Sequence, residues 1–382
     1  MRRAESPPAA SALGMTRRRF VESAAGGLAL ASGGTLLTGC HGVRRRETEW
    51  GDAPPGLSED ERTILRLASL APSGHNTQPW KVQVRAPGRW LIAADRERLL
   101  PAVDPARRET VLSVGAFLEN LIIAAGHHGL DAQLEVDPRS TDEAELATLV
   151  LAKGERRAAD LDALRRRRVV RKGLLGRELR ADDLRYLTQP ASAHCHFFAA
   201  GSPEGRYLSE GTLEANRAQA ARDPAQEELA DWIRWSDADA RAYRDGLTAE
   251  SMEIGGIAGW YVRHFYDRAD ATSRDFRDRS VEMVAEQVSQ LGGWLVLTGD
   301  GDSTAALLET GRLFERVFLR ARARMIAIHP MTQMLEETGW QAQVPTELGL
   351  NSPVQFILRV GYVEEYPEPV SLRRPLREFV RA

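Results

Sequence analysis

Lysine is nearly missing from this chain. Three of its 51 basic residues are Lys (Lys81, Lys153 and Lys172) and the rest are Arg. In so Arg-rich a sequence a lone Arg says little, and only a patterned group carries information. Cysteine is scarcer still: Cys40 and Cys195 are the two, which excludes a disulfide framework. An excess of positive charge is also lacking. The formal net charge is −3, and it falls to −6 without residues 1–39, which hold five Arg and two Glu. Nucleic acid is therefore not an expected partner. No Gly-x-Gly-x-x-Gly follows a strand pattern, and neither a phosphate-binding loop nor Gly-x-Ser-x-Gly occurs. His194-Cys195-His196 has no further ligand cluster at recognisable spacing, so no metal is expected. With 43% hydrophobic residues the chain is no disordered segment, and 382 residues allow two ordinary domains.

What is present begins with a leader. Thr16-Arg17-Arg18-Arg19-Phe20-Val21-Glu22 resembles a twin-arginine export motif, followed by a Gly- and Ala-rich stretch from Ser23 to Leu37. That stretch is too short and Gly-rich for a confident membrane span. It ends in Leu37-Thr38-Gly39-Cys40, similar to a lipobox, which implies cleavage before Cys40 and its acylation. The alternative is plain cleavage without lipid. Residues 41–56, with Arg44-Arg45-Arg46 and Pro54-Pro55, read as a tether. A periplasmic or envelope location on a lipid anchor follows as an expectation.

Residues 71–80, Ala-Pro-Ser-Gly-His-Asn-Thr-Gln-Pro-Trp, are the most informative segment. Pro72 stops the preceding helical pattern because it lacks an amide donor. Ser73 and Asn76 offer hydrogen bonds to a flat heteroaromatic ligand, and Gly74 allows close backbone approach. The strand pattern Lys81-Val82-Gln83-Val84 follows.

The chain also reads as two copies of one pattern. The first runs helix (Ser58 to Leu70, opened by a Ser58-x-x-Glu61 capping box), turn, strand, long apolar helix, strand. Its long helix, from Gly115 to Ala125, matches Gly311 to Ala321 in the second copy, with Gly, Glu and Ala coincident. Candidate strands follow each: 148–151 and 355–358, short apolar runs suited to strands covered on both faces. The turn recurs as Gln189-Pro190-Ala191-Ser192-Ala193-His194.

The opening turn resembles the flavin-contacting turn of the nitroreductase superfamily, and the tandem arrangement is similar to its Acg-type FMN-binding oxidoreductases, a fused pseudo-dimer branch. The resemblance covers residues 57–380. It rests further on Asp95-Arg96, Leu100-Pro101, Asp104-Pro105, Gly292-Gly293-Trp294, Arg359-Val360-Gly361-Tyr362 and Arg373-Arg374-Pro375-Leu376. It implies an α+β fold of two tandem nitroreductase-like units, residues 57–160 and 161–382, forming an internal pseudo-dimer that works as a monomer.

The resemblance also implies FMN. Pro72, Ser73, Gly74, Asn76 and Gln78 would face the flavin. Arg167, Arg171 and Arg373 would hold its phosphate, with Arg168 and Arg374 as neighbours able to trade roles. Val169 departs from the Ser or Thr of the family and removes one phosphate hydrogen bond. Pro330 and Met331 stand where a short loop would lie beside the reactive ring, offering a backbone amide to the reduced flavin. The turn of the first copy and the arginines of the second complete one site, while the mirror-image site lacks both, so one FMN per chain is expected. The implied activity is flavin-mediated reduction of planar acceptors, nitroaromatics or quinones, with a small-molecule donor and acceptor as partners. No catalytic side chain is named, because the flavin would do the chemistry. The rival is a non-catalytic protein that sequesters FMN outside the cytoplasm. Residues 201–290 carry no chemistry legible in the sequence.

Overall fold

The structure is a computed structural model that describes residues 52–136 and 144–381. The leader, Cys40 and most of the tether lie outside the described residues.

The first unit opens with helix α1 (Glu59–Ala68), held by the expected capping box of Ser58 and Glu61. Strands β1 (Trp80–Ala86) and β2 (Arg89–Ala94) form a hairpin across the two residues Pro87 and Gly88, the glycine at φ +69°. Helix α2 (Arg108–His127) and strands β3 (Leu130–Val136) and β4 (Glu145–Lys153) follow. By length and apolarity α2 resembles a membrane span, yet it is almost wholly buried as a core helix.

The second unit repeats this order. After α3 (Leu161–Arg166) come α4 (Ala181–Thr188), β5 (Cys195–Ala199) and, much later, β6 (Gly293–Thr298). Helix α11 (Thr304–Ala321) and strands β7 (Ile326–Pro330) and β8 (Val354–Tyr362) complete it. The sheets are ordered β3-β4-β2-β1-β9 and β5-β6-β8-β7. Matched through β1 to β5, β2 to β6, β3 to β7 and β4 to β8, the two orders are the same, and every matched pair is antiparallel. The duplication read from two apolar helices is therefore written in the topology.

Two features break the repeat. Where the first unit has its two-residue hairpin turn, the second inserts residues 200–292. That insert is built of α5 (Pro203–Ala221), α6 (Asp223–Trp232), α7 (Asp237–Tyr243), α8 (Gly256–Phe265), α9 (Arg268–Ala271) and α10 (Arg274–Ser289). Near the end of the chain, after α12 (Gln333–Glu336) and α13 (Val344–Glu347), helix α14 (Leu376–Phe379) leads into β9 (Val380–Arg381). β9 pairs in parallel with β1, so the last strand of the second segment completes the sheet of the first.

The expectation that both sheets are covered on both faces holds only for the second. β6 and β8 are buried almost throughout, because α5 covers the face that α11 leaves open. β4, by contrast, exposes its ends and half-buries Thr148, Val150 and Leu151, and among the described residues no insert like 200–292 interrupts the first unit to cover it.

Candidate functional site

The turn after α1 holds three residues in the left-handed region. His75, Asn76 and Gln78 all have φ near +50° in the left-handed region, uncommon for residues with a Cβ. Several clamps hold it. Ser73 Oγ accepts from the Gln78 amide at 3.0 Å. Asn76 donates to Gly246 O at 3.1 Å and accepts from Arg373 Nη1 at 3.0 Å. Gln78 donates to Arg244 O at 3.0 Å and accepts from the Arg374 amide at 2.9 Å. The C-terminal Arg pair and the loop at 244–246 thus set this turn from nearly 300 residues and 170 residues away.

Beside the turn lies a small recess of about 140 Å³. Pro72, Ser73 and Asn76 line one side, and Arg167, Arg168, Arg171 and Arg373 the other. The structure therefore brings together seven of the residues selected from sequence. Their guanidinium groups are not equally available. Arg373 is saturated by the carbonyls of Ser69, Leu70, Ala71 and Leu372, which closes the end of α1. Buried Arg167 donates to Leu70 O, lies over the Phe318 ring at 5.0 Å and faces Glu315 at 3.2 Å. Burial raises the Glu315 carboxyl to about 7, against the pull of Arg167. Arg168 pairs with Glu253 at 2.9 Å. Arg171 donates from its side chain to Ser251 O at 3.2 Å, and burial lowers its pKa.

Arg171 also borders a second, larger cavity of about 1380 Å³ between the two units. Gly74, Glu109, Leu112 and Ala116 wall it from the first unit, and Phe314, Phe356, His329, Pro330, Thr332 and Glu336 from the second. The insert supplies the remaining wall, including Trp235, Met252, Tyr261, Phe265 and Phe276. Residues 201–290, mute in the sequence, are thus the cover of the cavity. Their signal was only a scatter of aromatics among charged helical stretches.

Two histidines border the cavity in the neutral form. Burial drives His75 to about 4, with Arg171 adding to the effect and Glu109 opposing it. Burial, Arg171 and Arg359 hold His329 well below the ordinary imidazole range, and its Nδ1 has no hydrogen-bond partner. Across the cavity sits an acidic group that sequence reasoning missed: Glu109, Glu336 and, beside them, Asp104. Single carboxylates in ordinary helical stretches gave no sign that they would meet.

Three selected residues are not brought to either cavity. Gln78 is fully buried with its amide committed to the turn. Arg374 is buried against Gln78 O, Trp80 O and Asp95. Met331 packs into the core under α5, and its amide donates to Ile357 O at 2.9 Å. Gln78 and Arg374 spend most of their donors on backbone carbonyls, and Arg374 Nε has no hydrogen-bond partner among the described residues.

No protein-family model matches the chain. Along its length the chain is 28% identical over 335 residues to "Putative NAD(P)H nitroreductase Rv3131" of Mycobacterium tuberculosis, covering 85% of this chain and 91% of that protein. It is 25% identical over 341 residues to "Putative NAD(P)H nitroreductase acg" of the same organism, covering 83% and 94%. Among solved structures, a protein from Anabaena variabilis described as a nitroreductase aligns over 86% of this chain and 93% of its own at 11% identity, with a TM-score of 0.40.

Proposed function

We propose that this relative of the Acg-type, nitroreductase-like oxidoreductases binds one FMN per chain and passes electrons through it to planar acceptors, quinones or nitroaromatics. One observation carries the reading: an arginine-lined recess adjoins, at Arg171 and Ser73, an apolar cavity between the two units. A phosphomonoester needs planar cationic donors, and a flavin ring needs a flat apolar slot with few polar groups. The residues fit such a group. Four arginines face the recess against the carboxylates of Glu253 and Glu315, which leaves the balance cationic.

The cavity also exceeds the roughly 1,000 Å³ upper range of a single-ligand pocket, which leaves space for an acceptor beside the ring. Bound there, FMN supplies two-electron carrier chemistry. The chain's own part is to hold the phosphate with Arg171 and Arg168, to set the ring against Pro72 to Gly74, and to exclude water with the aromatic wall of the insert.

A visible spectrum of the purified chain, scored for flavin per protein, tests this. A ratio near one followed by acceptor-dependent turnover is the expected result. A chain that takes up no FMN overturns the reading, and tight FMN without turnover leaves sequestration in its place. Both halves of the site lie on one chain, which supports a working monomer; light scattering checks it. Export and an anchor on Cys40 are part of the same proposal, supported by Thr16 to Glu22 and Leu37 to Cys40. Fatty-acid labelling that disappears in Cys40→Ala is the check.

A further inference from the structure

Thr332 stands between two carboxyl groups in the cavity wall. Its Oγ1 lies 3.0 Å from Glu109 Oε1 and 2.7 Å from Glu336 Oε1. A hydroxyl has one proton to donate. Both contacts are hydrogen bonds only if one of the carboxyl groups carries a proton of its own.

The surroundings decide which. Glu109 is paired with the Arg108 guanidinium at 3.0 Å. Among the described residues no cation pairs with either oxygen of Glu336, and its Oε2 accepts from Gln219 Nε2 at 2.6 Å. Burial, and after it the charge of Glu109, raises the Glu336 carboxyl to about 8, with Arg108 pulling the other way. Asp104, just before α2, is itself raised to about 6 by burial and Glu109, and adds no cation. Arg222 and Glu337, which close α5 and α12, are paired with each other at 2.6 Å, and Arg171, Asp270, Asp275, Asp278, Arg279 and Glu282 also line the cavity.

A second observation points to a ligand at the same place. Asn216, one turn before Gln219 on α5, lines the cavity at 6% exposure, and its Nδ2 has no hydrogen-bond partner. Gln333, one turn before Glu336 on α12, likewise leaves Oε1 unpartnered at the cavity. Buried polar atoms are rarely left unpaired, and a polar ligand would satisfy these.

We propose that Glu336 is the proton donor of the cavity, acting on the oxygen of a neutral quinone held by Asn216. The proposal rests on the flavin reading above. Reduction of a quinone to a hydroquinone takes two electrons and two protons. A bound, reduced flavin would supply both electrons and one of the protons as hydride. The second proton comes from Glu336: its O–H bond breaks, an O–H bond forms on the quinone oxygen, and Glu336 is left as a carboxylate. Water entering by the cavity mouth restores the proton, and Thr332 and Gln219 hold the carboxyl in place throughout.

The first test needs no flavin. Infrared difference spectra of the chain between pH 6 and pH 9 should show a protonated-carboxyl band that titrates near 8. Glu336→Gln should abolish the component near 8 and leave the one that Glu315 gives near 7, and Glu109→Gln should move the Glu336 component to lower pH. A band unchanged in Glu336→Gln overturns the proposal.

The second test mixes the reduced, FMN-loaded chain with benzoquinone in a stopped-flow instrument. Glu336→Gln should slow oxidation by roughly 100-fold at pH 7, the low end for a general acid. It should also remove the fall in rate above pH 8. Oxidation of Glu336→Gln at the wild-type rate and pH profile overturns this proposal and leaves the proposed function intact. A chain that binds no FMN overturns both.

Discussion

Gly115 of α2 and Gly311 of α11 meet where the two long helices cross. A Cβ on Gly115 would lie 2.3 Å from Leu308 O and 3.0 Å from Gly311 Cα. A Cβ on Gly311 would lie 2.1 Å from Leu112 O and 3.0 Å from Gly115 Cα. The contact is reciprocal: each glycine meets the other and the residue three before it, as in a two-fold interface between identical subunits. Ordinary helix propensity favours Ala over Gly by about 1 kcal/mol. Here the obstacle is backbone, which cannot swing aside. Gly115→Ala and Gly311→Ala should each therefore lose about 1–3 kcal/mol of stability. A urea titration that showed either variant as stable as the parent would refute the close crossing.

Two arginines of the selected set, half-buried Arg171 and buried Arg374, should part company on substitution. Arg171→Ala removes a guanidinium at the junction of recess and cavity, and FMN affinity should fall roughly 10- to 100-fold, the worth of a charged hydrogen bond. Its melting temperature should move little. Arg374→Ala should instead destabilise the chain by about 2 kcal/mol, because the carbonyls of Gln78 and Trp80 lose their donor. Asp95 keeps Lys81 at 2.8 Å, which limits the loss. Fluorescence titration of FMN alongside thermal melts separates the two outcomes.

Val169 borders both the recess and the cavity. Val169→Ser would add a hydroxyl where the resemblance implies Ser or Thr. FMN should bind about five-fold tighter, one neutral hydrogen bond of about 1 kcal/mol. Equal or weaker binding in the same titration would remove Val169 from the phosphate site.

The acidic group also predicts how stability responds to pH. In the fold Glu336 is raised from 4.5 to about 8, so the native state binds this proton more tightly than the unfolded chain does. Its contribution is complete below about pH 4.5 and is lost as pH rises to 8. Glu336→Gln cannot ionise, so its stability relative to the parent should improve steadily between pH 5 and pH 8. Differential scanning calorimetry across that range would show the two melting curves diverging. Parallel curves would mean that Glu336 ionises normally in the fold.

Much of the site was legible because its residues lie in patterned groups. Pro72, Ser73 and Asn76 sit in one turn with distinctive chemistry, and Arg167, Arg168 and Arg171 in one basic run. Gln78, Met331 and Arg374 lie outside both cavities, and a sequence position shows that a group can donate but not that a backbone carbonyl already accepts. Glu109 and Glu336 were invisible because 227 residues separate them and neither has a local signal.

By itself the sequence determined the local elements and their duplication. A capping box at Ser58, a helix-stopping Pro72 and two glycines at matching helix positions act through nearest neighbours, and periodicity reports them. Tertiary structure decided what surrounds the cavity. The insert at 200–292 folds over it, β9 returns to the first sheet, and Thr332 comes to lie between two distant carboxyl groups. Those outcomes follow from burial and packing between units, which depend on contacts that no stretch of sequence contains.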